Sequence, residues 1–214
     1  VIGVDRLDYT KGLVERMHAF RRLLELRPEL SKTVTFMQIA PPTREDVEAY
    51  SDIRKELEGL SGAINGAFGD YDWTPVRYIH RSVPRSTLAA LYRGSRIGLV
   101  TPLRDGMNLV AKEFVASRDD EQGVLILSTF AGASRELSEA LMVNPYDTHA
   151  IGEAFERALH MSASEQRERM RLMRDLVRVR NVYRWAGQML LDAARFRSQR
   201  RLMPGAATRM AQQT

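Results

Sequence analysis

Apolar and polar positions follow two rhythms along this chain. Short, nearly continuous apolar runs recur over 1–5, 33–40, 76–80, 97–100, 124–127 and 141–144. Runs of that length, bounded by turn residues, read as strands covered on both faces. Between them apolar residues return every three or four positions, the helical rhythm. Leu13, Met17, Phe20, Leu23 and Leu24 make one stripe, ended by Pro28, and Val47, Tyr50, Ile53 and Leu57 make a second within a helix predicted over 45–67. Pro84 opens a third helix through Leu88, Leu91 and Tyr92, and a short helix is expected after the turn-rich 128–134. From Thr148 to about Arg201 the pattern is helical in two or three segments, and 202–214, with Pro204 and Gly205, reads as a disordered tail.

Six strands alternating with helices predict an α/β fold: a Rossmann-like, doubly wound parallel sheet of about six strands, helices on both faces, and a helical C-terminal segment. Crossovers should be right-handed. No repeat and no second boundary shows, so 1–201 reads as one domain. Ligands in such folds bind beyond the carboxyl ends of the strands, near a switch in strand order. The informative loops are therefore 6–12, 41–44, 81–85, 102–108 and 128–133.

The stretch 96–114, RIGLVTPLRDGMNLVAKEF, is central. It predicts a strand, a tight polar turn at Arg104, Asp105 and Gly106, and a helix in which Leu109, Val110, Phe114 and Val115 face inward. Asn108 is the expected N-cap. A helix mouth placed directly after a strand offers free N–H groups and positive dipole charge, which suits a phosphate. Asp105 and Glu113 would oppose a phosphate there, unless they serve sugar hydroxyls of the same ligand.

Composition narrows the classes. The 214 residues are 44% hydrophobic and 28% charged, ordinary for a globular protein, and the absence of cysteine excludes disulfides and thiolate metal sites. No apolar run is long enough to span a bilayer and no signal peptide shows, so a cytoplasmic protein without membrane contact is expected. The formal net charge is +5, and the cations are mostly arginine, with Lys11, Lys32, Lys55 and Lys112 as the lysines. The arginines of 167–201 alternate with acids and read as a solvated helix face. A nucleic-acid platform would want exposed aromatics among them, and the candidates Tyr183, Trp185 and Phe196 read as core residues of the last helix. The chain opens VIGVDR, without methionine and already as a strand. A fragment of a larger protein is the expectation.

Cations gather in the loops that follow strands: Arg6 and Lys11 in the first, Arg44 in the second, Arg81 and Arg85 in the third. Arginine forks grip phosphate in bidentate fashion and lysine acts as a movable point charge. Such a set could neutralise a diphosphate without metal, or it could simply face water, and spacing alone leaves both open. His18, His149 and His160 fall in helices at the surface, and His80 ends a strand with a local hydrogen bond. No metal-ligand spacing, Walker loop or GxGxxG appears.

RLDYTKG at 6–12, QIAPPTREDV at 38–47 and TPLRDGMNLVAKEFV at 101–115, with STFAGASREL and VNPYD, closely resemble the trehalose-6-phosphate synthase family, glycosyltransferase family 20. The resemblance runs from Val1 to about Arg197 and covers the C-terminal half of an enzyme built as two Rossmann-like domains facing across a cleft, the GT-B arrangement. It implies transfer of glucose from a nucleotide sugar, typically UDP-glucose, to glucose 6-phosphate, giving α,α-trehalose 6-phosphate with retention and without a required metal or cofactor. By motif match Arg6 and Lys11 would bind the donor diphosphate and stabilise the departing nucleotide. Asp105 would hold hydroxyls of the transferred glucose. Gly106, Met107, Asn108, Leu109 and Val110 would contact sugar and phosphates, with Ala111 and Lys112 beside them, and Glu113 the ribose. Val83 would pack on the base, and Arg44 would reach the phosphate of glucose 6-phosphate. The N-terminal half, which supplies most acceptor contacts, is absent and becomes the implied partner, and a homo-oligomer stays open. The chain alone would then be inactive. The alternative is a non-catalytic module that holds a nucleotide sugar, or a regulatory one.

Overall fold

The computed structural model describes residues 1–42 and 48–202. All six expected strands form: β1 (Ile2–Val4), β2 (Phe36–Ile39), β3 (Val76–Ile79), β4 (Ile97–Val100), β5 (Val124–Ser128) and β6 (Leu141–Val143). They make one sheet in the order β3-β2-β1-β4-β5-β6, every neighbouring pair parallel. This is the doubly wound order, and its switch falls between β1 and β4. There the connections leave in opposite directions, and in doubly wound folds this is where the ligand crevice lies.

The helices are α1 (Leu13–Leu26), α2 (Glu48–Phe68), α3 (Arg85–Gly94), α4 (Leu109–Ser117), α5 (Thr148–His160), α6 (Ala163–Val179) and α7 (Val182–Leu202). The predicted α1 stripe is buried against the sheet together with α2 residues Leu57 and Ile64 and α5 residues Ile151 and Phe155. The ring of Phe20 lies 5.4 Å from that of Phe36 on β2 and 6.2 Å from that of Phe155, so one aromatic cluster joins sheet and helices. On the other face α4 sets Phe114 against β4. A methyl group at Gly98 would come within 2.8 Å of that ring, so only glycine lets it lie flat on the strand. Tyr92 of α3 meets Phe114 edge-on at 6.2 Å. Arg118, after α4, donates to the carbonyls of Tyr92, Arg93 and Ser95, closing the C-terminus of α3, and pairs with Asp120 at 2.9 Å.

Three expectations change. The short helix after β5 is a 3-10 turn over Gly132–Arg135, inside the turn-rich segment rather than behind it. Leu109 is exposed on the outward side of the first turn of α4, opposite the buried face carried by Ala111, Phe114 and Val115. The chain divides into two compact units after Leu176. In the second, Tyr183, Trp185 and Phe196 are exposed and not core residues of α7. Val182, Trp185, Met189 and Phe196 recur at helical spacing on one side of α7 and are all exposed. Part of the expected tail, 203–214, and Val47 of the second stripe lie outside the described residues.

Gly98→Ala should destabilise the protein by about 1–3 kcal/mol through overpacking against Phe114. Adding Phe114→Leu should recover part of that loss, as read by urea unfolding.

Candidate functional site

At the switch point two loops meet over a buried guanidinium. Arg16 sits on the inward stripe of α1, and its side chain is 0% exposed. Its Nε donates to Thr101 Oγ1 at 2.9 Å, Nη1 to Gln38 Oε1 at 3.4 Å, and Nη2 to the Lys11 carbonyl at 3.1 Å. Nη2 also lies 2.7 Å from Asp5 Oδ2 as an ion pair. One side chain thus ties the ends of β1 and β4, the middle of β2 and the first loop. Burial pushes the Asp5 carboxyl above its usual range, against the opposing pull of Arg16 and Lys11.

The first loop is fixed from within. Asp8 accepts from the Thr10 amide at 2.8 Å and the Thr10 hydroxyl at 2.7 Å, which folds Tyr9–Lys11 into a 3-10 turn. Burial alone would raise the Asp8 carboxyl, but those hydrogen bonds and the Lys11 charge outweigh it and hold it below its usual range. Gly12 then turns the chain into α1 at φ 65°. A side chain there would be strained and would meet the Thr101 carbonyl at 2.3 Å. This geometry aims Lys11 across the crevice. Its Nζ reaches Asp105 Oδ2 at 2.7 Å.

The loop after β4 lies between its neighbours. Leu103 and Arg104 donate backbone N–H groups to the Thr10 carbonyl at 2.8 and 3.2 Å. On the other side the Asp105 amide donates to the Phe130 carbonyl, while the amides of Gly132 and Ala133 donate to the carbonyls of Asp105 and Met107. Gly132 is required there, because a side chain would fall 1.9 Å from the Gly106 carbonyl oxygen. Asn108 adopts φ 68°, an uncommon conformation for a residue with a side chain, and caps α4 as expected by accepting from the Ala111 amide at 3.2 Å. Its Nδ2 donates to Asp105 Oδ2 at 3.1 Å and makes a long contact, 3.5 Å, with Asp5 Oδ1. The N–H groups of Leu109 and Val110 at the mouth of α4 have no intrahelical acceptor.

Arg6 is exposed beside this cluster and makes no ion pair with another described residue. Glu113 is exposed one turn into α4, Val83 is half-buried before α3, and Arg81 and Arg85 are exposed. Lys112 turns to Glu136, 2.9 Å away, so its ammonium is engaged beside the crevice. His80 contacts the Ala40 carbonyl at 2.9 Å through Nδ1, the local role expected of it. Arg44 lies outside the described residues. Among the described residues no group of three or more His, Asp or Glu side chains is placed to share a metal ion, and no helix is long and apolar enough to cross a membrane.

The arrangement therefore joins a free arginine, a lysine–aspartate pair and a helix mouth at one crevice, chemistry suited to a phosphorylated sugar. Sequence reasoning missed its supports: Arg16, Asp5, Gln38 and Thr101. A signal existed. Arg16 lies three residues after Leu13 and four before Phe20, on the apolar stripe of α1, where an unpaired cation would not be tolerated.

The family model for Glycosyltransferase family 20 matches residues 1–195. The trehalose-6-phosphate synthase of Sinorhizobium fredii is 50% identical over 193 residues, 90% of this chain and 42% of that protein. An α,α-trehalose-phosphate synthase (UDP-forming) from Burkholderia xenovorans, solved in complex with glucose-6-phosphate, is 55% identical with a TM-score of 0.87, over 89% of this chain and 42% of that one. An E. coli structure bound with UDP-2-fluoro glucose is 47% identical with a TM-score of 0.88, over 89% of this chain and 43% of that one. The chain thus spans about two fifths of the length of the curated relatives it matches.

Arg16→Met should cost about 3–5 kcal/mol of stability, because it strands the buried Asp5 charge. Asp5→Asn in that background should recover part of the loss, measured by chemical denaturation.

Proposed function

The chain belongs to glycosyltransferase family 20, and on that premise we propose that it is the donor-binding half of a trehalose-6-phosphate synthase. The reaction is transfer of glucose from UDP-glucose to glucose 6-phosphate with retention, giving α,α-trehalose 6-phosphate and UDP. The observation that carries this reading is the Lys11–Asp105 pair at the mouth of α4 by the switch point, with Arg6 exposed on the same first loop. It is supported by relatives solved with a UDP-glucose analogue and with glucose-6-phosphate.

The residue types suit the reaction. As the bond from the glucose anomeric carbon to the diphosphate breaks, positive charge grows on the sugar and negative charge on the leaving phosphate. Arg6, Lys11 and the amides of Leu109 and Val110 are preorganised donors for the latter. Asp105 is the acceptor for hydroxyls of the glucosyl group, Glu113 for those of the ribose, and Val83 packs on the base. Gly106 and Met107, stitched to the next loop, bring backbone close to the sugar, with Asn108, Ala111 and Lys112 framing the helix mouth. Arg44 binds the acceptor phosphate. With no residue of this chain cast as a covalent nucleophile, retention requires the acceptor hydroxyl to attack on the face the nucleotide leaves. No cofactor is invoked.

The acceptor contacts and the closure that excludes water belong to a second Rossmann-like half. We therefore expect this chain alone to bind donor without turnover. The second reading is a module that holds a nucleotide sugar without transferring it. Calorimetry with UDP-glucose and an assay for trehalose 6-phosphate, with and without an added N-terminal half, separate the two. Turnover on complementation supports the synthase, and donor binding with no turnover supports the module.

Arg6→Ala or Lys11→Ala should weaken UDP-glucose binding by more than about tenfold, since each removes a charge-assisted phosphate contact. Unchanged affinity in both variants would overturn the donor-site assignment. Glu113→Gln should act mainly on nucleotide affinity. In the complemented enzyme Asp105→Asn should act mainly on turnover, and normal kcat in that variant would remove its proposed role.

A further inference from the structure

We propose that Asp105 is the residue by which this site selects a complete nucleotide sugar over the bare nucleoside diphosphate, by competing with the diphosphate for Lys11. The inference rests on the donor-site reading above and deepens it.

The geometry sets up a competition. Lys11 Nζ and Asp105 Oδ2 are 2.7 Å apart, with side chains only 13% and 17% exposed, so solvent screens the pair less than it would at an open surface. The main chain under both groups is fixed, so it is the lysine stem that must move if the pair is to part. The Lys11 carbonyl is held by the buried Arg16, and Asp105 is held by backbone bonds to Phe130 and Gly132. The same oxygen, Oδ2, also accepts from Asn108. Oδ1 accepts no hydrogen bond from a described residue. Arg6 differs, since it is exposed and makes no close ion pair with another described residue, acting on Asp8 only at longer range.

A diphosphate that draws on Lys11 therefore takes charge away from a fixed, partly buried carboxylate. A bare nucleoside diphosphate returns nothing to it. A nucleotide sugar does: its hydroxyls can donate to Asp105 and replace the lysine as partner. The pair thus penalises the sugar-free nucleotide more than the complete donor. The same asymmetry favours release of the nucleotide once the sugar has gone.

The test uses the full chain and two probes, UDP and UDP-glucose, with affinities read by ligand-observed NMR so that weak binding stays measurable. Asp105→Asn should tighten UDP by about three- to tenfold, the scale of a partly exposed ion pair. It should leave UDP-glucose no tighter, so the preference for the complete donor narrows. In a Lys11→Met background, adding Asp105→Asn should change UDP affinity by less than about twofold, because nothing is left to compete for. Asp105→Ser provides the same comparison with a side chain too short to bridge. Unchanged UDP affinity in both Asp105 variants would overturn the proposal. So would an equal gain with and without Lys11, which would mean simple repulsion between carboxylate and phosphate. If the unaltered chain bound neither probe at millimolar concentration, the donor-site reading would fall, and this inference with it.

Discussion

A single buried guanidinium supports the crevice in this fold. Arg16 has no solvent of its own, so every bond it makes must come from protein. It meets that demand by reaching β1 through Asp5, β2 through Gln38, β4 through Thr101 and the first loop through the Lys11 carbonyl. Burying such a pair costs solvation and earns little net stability over a well-packed apolar alternative. What it secures is position. The ends of β1 and β4 diverge at the switch in strand order, and backbone hydrogen bonding within the sheet cannot hold them in register beyond the last ladder pair.

From that anchor the site is built outward by main-chain geometry. The Asp8–Thr10 hydrogen bonds and Gly12 shape the first loop, the Thr10 carbonyl ties it to the second, and the second is stitched to the loop after β5. The result fixes Lys11 and Asp105 against each other while leaving Arg6 at the surface. Charges placed on backbone braced in this way need little reorganisation when charge develops in a reaction. On the proposed donor-binding reading, with a diphosphate as leaving group, that preorganisation would be the main service of this domain.

Much of this was legible in the residues. The six strands, the α1 stripe and the Asn108 cap follow from local rules: apolar run length, helical spacing and the reach of a short polar side chain to nearby amides. The long motifs around Arg6, Lys11 and Asp105 carried the family. Spacing alone did not reveal the exposed faces of α7, because Tyr183, Trp185 and Phe196 look like core residues wherever a helix is assumed to pack. Only the resemblance to a family whose last helix crosses to the other half left room for their exposure. Leu109 misled for a related reason. It shares the apolar character of Phe114 but points away from the face that Ala111, Phe114 and Val115 bury.

The amino-acid sequence by itself determined the fold class, the candidate ligand loops and the family. Each of these depends on contacts between near neighbours or on motifs long enough to be specific. Only the tertiary structure decided which charges meet. Lys11 and Asp105 are 94 residues apart, and Asp5, Arg16 and Thr101 come from three separate elements. Pairing at that distance is set by strand order and loop geometry, which place groups in space without leaving any periodic trace along the chain. The central strand-turn-helix therefore reads in sequence as an anion site with two awkward acids, and in three dimensions as a site where one of those acids already has its cation.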